Sequence, residues 1–192
     1  MTYDAPDWHE VNPPRRPEFQ KGGARISGAP RHVQALARLA SHMDIAWDLD
    51  GTLVDHPAAP VLHRFILDTP HIRHIVVSFR NARQGIPWGL LSGYGAGLTM
   101  QHFDRVVHMP DELCAGISAD ATSRRGGRWL GLGALTPPWR RTTDTAHRLW
   151  KGQICQQEGF TALVDDLTSL VAEGCRRHGV ELFHPSDFTP DP

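Results

Sequence analysis

Five short apolar runs, each followed by a polar turn, constrain the fold of this 192-residue chain most strongly. Most are rich in valine, isoleucine and leucine and are too short for helices, which is typical of strands buried in a parallel sheet. The runs are Asp44–Trp47, Ile72–Phe79, Arg105–His108, Phe160–Val164 and Val180–Phe183. Segments with apolar residues at helical spacing lie between them, so the sequence predicts an α/β fold with a mainly parallel central sheet.

Helices are predicted wherever apolar residues recur every three or four positions. These segments are residues 31–43, 58–68, 144–158 and 167–178, with a further helix-like stretch around 81–91. Residues 1–30 are rich in Pro, Arg and Gly and follow neither period, so we expect a flexible extension before a single domain over residues 31–192. Within that domain, the Gly- and Pro-containing residues 110–142 predict a small cap or a mobile loop.

Composition narrows the classes of partner. Twenty Lys and Arg against twenty-one Asp and Glu give a net charge of -1, which argues against nucleic acid as a partner. The three cysteines, Cys114, Cys155 and Cys175, have no CxxC spacing, so we expect a reducing compartment rather than a disulfide framework or a zinc site. With neither a signal pattern nor a membrane-spanning run, the expectation is a cytoplasmic protein without a membrane partner.

Polar side chains follow three of the predicted strands at the point where each strand ends. Asp48 and Asp50 come after the first strand, Ser78 ends the second, and Asp165 and Asp166 come directly after the fourth. The carboxyl ends of parallel strands meet at one edge of a sheet, where ligands bind. We therefore expect these side chains to converge on one site.

Carboxylates in this pattern suit phosphoryl transfer. Asp48, at the end of a strand, can attack phosphorus and form an aspartyl-phosphate. Asp50, two residues on, can protonate the leaving oxygen and afterwards activate water, while Gly51 allows a sharp turn between the two roles. We therefore expect Asp48 and Asp50 to be the catalytic residues.

A phosphate ester is doubly negative, so a carboxylate nucleophile needs cationic help. Oxygen ligands point to Mg²⁺ as the cofactor. The predicted metal ligands are Asp48, Asp50 through its backbone carbonyl, and Asp165 or Asp166. The predicted phosphate-binding residues are Thr52, Ser78 and Lys151. Arg80 and Asn81 directly follow Ser78 and are expected to touch the substrate, although a surface Arg after a strand is ordinary.

These motifs resemble those of the haloacid dehalogenase superfamily of hydrolases. They are, in order, Asp48-Leu49-Asp50-Gly51-Thr52, Ile75-Val76-Val77-Ser78, Lys151, and Leu163-Val164-Asp165-Asp166. The resemblance spans about residues 44–184 and implies a Rossmann-like three-layer fold, Mg²⁺ dependence and a phosphoaspartate intermediate. Because the dehalogenases of the superfamily lack the second Asp, the presence of Asp50 favours a phosphatase, here with a minimal or small cap.

Each candidate also has a structural explanation. Asp48 and Asp50 could simply form a capped turn, the Asp165-Asp166 pair could cap a helix, and Lys151 could lie on a solvated helix face. Ser92 is a rival to Ser78 for the phosphate. Of the other polar residues, His71 and His74 are expected to be structural, and Trp47, next to Asp48, is expected in the core.

The sequence thus predicts a phosphatase that hydrolyses a monoester of a small soluble substrate, such as a nucleotide or a sugar phosphate. Two alternatives remain. One is a phosphatase acting on a nucleic-acid end or a protein, for which an open site would be suitable. The other is a binding or regulatory protein that keeps the fold without turnover.

Overall fold

The computed structural model describes residues 28–80, 82, 85, 86, 89, 91, 97–110, 113 and 140–190, of which 140–144 are described by their backbone alone. Helices and strands alternate along the described chain. In order they are α1 (Arg31–Leu39), β1 (Asp44–Trp47), α2 (Ala59–Asp68), β2 (Arg73–Ser78), β3 (Arg105–His108), α3 (Arg140–Glu158), β4 (Ala162–Val164), α4 (Thr168–His178) and β5 (Glu181–Phe183). Short 3₁₀ helices cover Met100–His102 and Pro185–Phe188.

The five described strands form one sheet in the order β3-β2-β1-β4-β5, and every neighbouring pair is parallel. The central strand is β1, where Trp47 is in register with Val76 of β2 on one side and with Val164 of β4 on the other. This confirms the predicted α/β fold with a parallel sheet. The chain runs outward from β1 in both directions, so the sheet changes direction between β1 and β4.

Buried apolar side chains lie on both faces of the sheet. On one face, Trp47 of β1 packs in a cluster with residues of α1 and α2, including Leu39 and Leu62. On the other, Ala46 of β1 lies in a second cluster with Trp150 of α3 and other residues of α3 and α4. Successive strand residues face opposite sides, so the sheet is the middle of three layers, and Trp47 is a core residue as expected.

Several observed bounds differ from the predicted ones. The first helix ends at Leu39 rather than at residue 43, because the chain closes there in a turn in which the N–H of Ser41 bonds to the carbonyl of Arg38. The helix predicted over residues 144–158 starts at Arg140, so residues 140–142 belong to α3 and not to a loop. After β5, the 3₁₀ helix Pro185–Phe188 packs onto the domain, since Phe188 is fully buried.

Other expectations fall on residues outside the described part. These are the extension before residue 28, most of the helix-like stretch around 81–91, and most of residues 110–139. Among the described residues, none of the helices combines the length and the apolar character that a membrane crossing requires.

Candidate active site

Three predicted site segments meet at the carboxyl edge of the sheet. Asp48 directly follows β1, and its N–H extends the ladder by bonding to the carbonyl of Val164. Asp165 directly follows the neighbouring strand β4, and Ser78 is the last residue of β2 on the other side of β1. The two acidic segments therefore flank the point where the sheet changes direction, which is where ligands bind in sheets of this kind.

The segment after Asp48 folds into a tight loop. Leu49 is fully buried and anchors the loop, whose backbone closes through hydrogen bonds from Gly51 N–H to the Val54 carbonyl (2.8 Å) and from Val54 N–H to the Leu49 carbonyl (2.9 Å). Gly51 has φ +77°, and a Cβ at this position would lie 2.5 Å from Oδ2 of Asp166. Both the backbone angle and the space thus require glycine here.

Lys151 lies at the centre of the site. Its side chain is fully buried, and its Nζ donates hydrogen bonds to Oδ1 of Asp48 (2.5 Å) and to Oδ2 of Asp165 (2.7 Å). The alternative that it lies on a solvated helix face is wrong. Burial alone would lower the pKa of Lys151, but Asp165 and Asp48 outweigh it and raise the pKa above its ordinary value. The side chain is therefore a fixed ammonium between two carboxylates.

The depth of Lys151 follows from how α3 packs on α4. The helices touch at two glycines, and a Cβ on Gly152 would lie 2.2 Å from the backbone carbon of Gly174. A Cβ on Gly174 would in turn lie 2.8 Å from the carbonyl oxygen of Arg148. Two helices can approach this closely only without side chains at the contact. The contact lies directly beside Lys151 in the chain, so it fixes the segment of α3 from which the ammonium reaches the sheet edge.

The two acidic residues after β4 have different surroundings. Asp165 is held on both oxygens, since Oδ2 accepts from Lys151 and Oδ1 accepts from the N–H of Leu167 at 2.8 Å. The latter bond closes a turn just before α4, whose N-cap residue is Leu167 and has no side-chain cap, so Asp165 forms a turn before the helix rather than the helix cap that was the structural alternative. Asp166 bonds through its backbone N–H to Oγ1 of Thr52 at 3.1 Å. Among the described residues, no donor faces its buried Oδ1.

The geometry and the charges suit a hard cation. One carboxylate oxygen from each of Asp48, Asp165 and Asp166 lies within 4.8 Å of the others. Burial raises the pKa of Asp48 well above its ordinary value, with Lys151 opposing and Asp165 adding to the shift. Burial and the charge of Asp165 likewise raise the pKa of Asp166. Three carboxylates thus crowd one ammonium, and the buried Oδ1 of Asp166 is the kind of oxygen that Mg²⁺ binds.

Asp50 does not join this group through its side chain. Its carboxylate forms a two-pronged ion pair with Arg80, with Nε to Oδ2 at 2.7 Å and one terminal nitrogen to Oδ1 at 2.6 Å. The hydrogen bond to Asp50 raises the pKa of Arg80, which stays charged. The predicted ligation through the backbone carbonyl of Asp50 remains a prediction. Asn81, the other predicted substrate contact, lies outside the described residues.

The predicted phosphate-binding hydroxyls are both buried. Thr52 accepts from the N–H of Asp166, so it ties the loop after β1 to the loop after β4. Ser78 accepts from the N–H of Arg80 at 3.1 Å. Both hydrogen bonds position the loops. That Thr52 and Ser78 also bind phosphate remains a prediction. The rival Ser92 lies outside the described residues.

Sequence reasoning missed one aromatic residue of the site. Phe79 follows Ser78, and its ring centre lies 4.2 Å from Nζ of Lys151, close enough for a cation–π contact. The ring also stacks on His147, with centroids 4.2 Å apart and planes 13° apart, and its centroid lies 5.9 Å from that of Trp150. His147 and Lys151 are four residues apart on α3, so their spacing could have placed them on one helix face, but it could not have indicated that Phe79 packs against both.

Comparisons with known proteins add no relative. No protein-family model matches the chain, and neither the curated proteins nor the solved structures contain a match. Any function must therefore be argued from the site itself.

Proposed function

We propose that the chain is a Mg²⁺-dependent phosphatase of the haloacid dehalogenase type, which hydrolyses a phosphate monoester through an aspartyl-phosphate on Asp48. The observation that carries the proposal is the buried contact of Asp48 with Lys151, at a sheet edge where Asp165 and Asp166 also lie. A carboxylate nucleophile must face a dianionic phosphate, and a fixed ammonium beside it offsets part of the repulsion. A purely structural ion pair would not require the further carboxylate of Asp166.

The chemistry divides between two carboxylates. An oxygen of Asp48 attacks phosphorus, the bond from phosphorus to the ester oxygen breaks, and Asp50 gives that oxygen a proton as the alcohol leaves. Water then attacks the phosphorus of the aspartyl-phosphate and loses its proton to Asp50. The bond from phosphorus to the Asp48 oxygen breaks, inorganic phosphate leaves, and both side chains return to their starting states.

The remaining acidic residues have separate roles in this proposal. Asp165 is engaged on both oxygens, so its task is to hold Lys151 and the turn before α4. Asp166, with a buried oxygen that lacks a donor in the described part of the chain, is the favoured direct ligand of Mg²⁺ together with Asp48. When bound, the cation neutralises charge on the phosphate and the carboxylates.

The test is a panel of phosphate monoesters assayed with Mg²⁺, with sugar phosphates and nucleotides included. We expect turnover of at least one ester, and its loss on addition of EDTA. Asp48→Asn keeps the shape of the side chain but removes the nucleophile, so activity should fall at least about a thousandfold. The matched control is Asp44→Asn at the opposite end of β1, where Asp44 pairs with Arg73, and it should keep near-normal activity.

Two results would overturn the proposal. Full activity in Asp48→Asn would exclude an aspartyl-phosphate on this residue. No turnover of any ester, alongside Mg²⁺ binding that stabilises the protein, would favour a binding protein that keeps the fold without catalysis. Turnover limited to phosphorylated peptides or nucleic-acid ends would keep the chemistry and replace the small-molecule substrate.

A further inference from the structure

The site contains two described cations, and they differ in whether a substrate can touch them. The side chain of Lys151 is fully buried and already contacts Asp48, Asp165 and the ring of Phe79. The side chain of Arg80 is 29% exposed. Within the described residues of the site, Arg80 is therefore the cation that a bound molecule can reach from solvent.

Arg80 also lies beside the bond that the proposed reaction would break. Asp50 must approach the ester oxygen to within hydrogen-bond distance in order to protonate it. Because Nε and a terminal nitrogen of Arg80 are 2.7 and 2.6 Å from the two oxygens of Asp50, the guanidinium lies within roughly 6 Å of that ester oxygen. A group attached to the carbon next to the ester oxygen is within reach of it.

The guanidinium has the right shape for a second anion. A guanidinium carries five N–H donors in a rigid plane, and two of them are used on Asp50. The edge between its two terminal nitrogens is the one on which another carboxylate would bind through two parallel hydrogen bonds. Arg80 can thus hold Asp50 on one edge and a substrate carboxylate on another.

We propose that Arg80 determines substrate specificity, and that the preferred substrates are phosphate monoesters of hydroxy acids, with the carboxylate close to the ester oxygen. This rests on the proposed phosphatase function and adds the class of leaving group. A carboxylate is chosen because Arg80 already binds one, that of Asp50, in the two-pronged geometry. An uncharged leaving group, such as that of a simple sugar phosphate, would leave this edge of the guanidinium facing water.

The experiment compares two esters of equal size. Carboxymethyl phosphate and carbamoylmethyl phosphate differ only in a carboxylate against an amide, and 4-nitrophenyl phosphate reports activity that does not depend on the leaving group's charge. We expect the wild type to prefer the carboxylate ester in kcat/KM by roughly ten- to a hundredfold. Arg80→Gln should bring this ratio close to one, and Arg80→Lys should give an intermediate ratio. Arg105→Gln, which removes a surface arginine paired with Glu158, should leave the ratio unchanged.

The ratio separates the inference from the function on which it rests. Arg80→Gln lowers the rate with both esters if it disturbs Asp50, and that common effect cancels in the ratio. A wild type that hydrolyses all three esters without preferring the carboxylate overturns the inference and leaves the phosphatase intact. A preference that survives in Arg80→Gln also overturns it, and absence of turnover with every ester overturns the function and the inference together.

Discussion

Two ion pairs at the same sheet edge differ in burial and therefore in what they can do. The pair of Lys151 with Asp48 has side chains 0% and 5% exposed, whereas the pair of Arg80 with Asp50 has side chains 29% and 31% exposed. Away from water, charges interact strongly, and a lost partner cannot be replaced by solvent. The buried pair is thus suited to a fixed role and the partly exposed pair to contact with a bound substrate, which is what the proposed nucleophile and the proposed proton carrier would require.

Removal of the buried ammonium should have the largest effect on folding. Lys151→Met leaves Asp48 and Asp165 buried without their cation, so we expect the free energy of unfolding to fall by about 3–5 kcal/mol in metal-free buffer. Urea denaturation measures this. The matched control is Arg177→Met, which breaks an exposed pair with Glu173 and should cost less than about 1 kcal/mol. A similar loss in both variants would remove the distinction between the two kinds of pair.

The free energy of unfolding should also fall in acid because of the buried side chain of His74. His74 is a buried residue of β2, and its Nδ1 accepts a hydrogen bond from Nε1 of Trp47 in β1 at 3.1 Å. Burial lowers the pKa of His74 from 6.5 to about 4. The unfolded chain therefore binds the proton first as the pH falls below 6.5, and stability is lost until about pH 4, by up to about 3 kcal/mol.

Urea denaturation at pH values stepped from about 7 to about 4 measures this loss. Asn can accept from Trp47 without titrating, so His74→Asn should show a shallower fall than the wild type. His63, whose pKa burial also lowers, remains in both proteins and cancels in the difference. Equal slopes in the two proteins would show that His74 does not carry the acid sensitivity.

An intermediate effect on stability is expected at Gly51, which lies in the loop after β1 and faces Asp166 in the loop after β4. Gly51→Ala places a side chain at φ +77° and 2.5 Å from the carboxylate of Asp166. The angle alone should cost about 1–2 kcal/mol, and Asp166 must also turn away, which should weaken Mg²⁺ binding in calorimetry. Gly97→Ala is the control, because Gly97 has φ +71° and nothing within 4 Å of an added Cβ. Unchanged Mg²⁺ affinity in Gly51→Ala would argue against Asp166 as a ligand.

The partly exposed pair of Arg80 with Asp50 should contribute least to folding. Arg80→Gln should lower the free energy of unfolding by less than about 1 kcal/mol, because water can solvate Asp50 once its partner is gone. A double-mutant cycle with Asp50→Asn isolates the energy of the pair itself. A coupling above about 2 kcal/mol would place this pair in the same class as the buried one.

The sequence predicted much of the fold and the position of the acidic residues because these signals are local. An apolar run that ends in Asp48, Ser78 or Asp165 indicates both a strand and the edge at which its polar side chain lies. Lys151 could be singled out because it precedes the strand that leads to Asp165. The strand order β3-β2-β1-β4-β5 was not predicted, since strand neighbours are chosen by packing between distant segments.

The pairing of side chains at the site could not be read from spacing. Asp50 and Arg80 are thirty positions apart and meet only because the loop after β1 bends toward the end of β2. Asp165 and Asp166 have different surroundings because the turn before α4 bonds the N–H of Leu167 to Oδ1 of Asp165. The hydrogen bond from the N–H of Asp166 to Oγ1 of Thr52 also depends on how the two loops fold toward each other, and spacing did not indicate it. Loop conformation, rather than residue type, decides these contacts.

The most direct test of an aspartyl-phosphate mechanism is to identify the residue that carries the phosphoryl group. Enzyme that is turning over a phosphate ester is quenched with borohydride, which reduces an aspartyl-phosphate to homoserine, and peptides are then sequenced by mass spectrometry. If Asp48 is the nucleophile, we expect homoserine at position 48, and none there without substrate. Turnover without homoserine at position 48, or with homoserine at position 50, 165 or 166 instead, would contradict it.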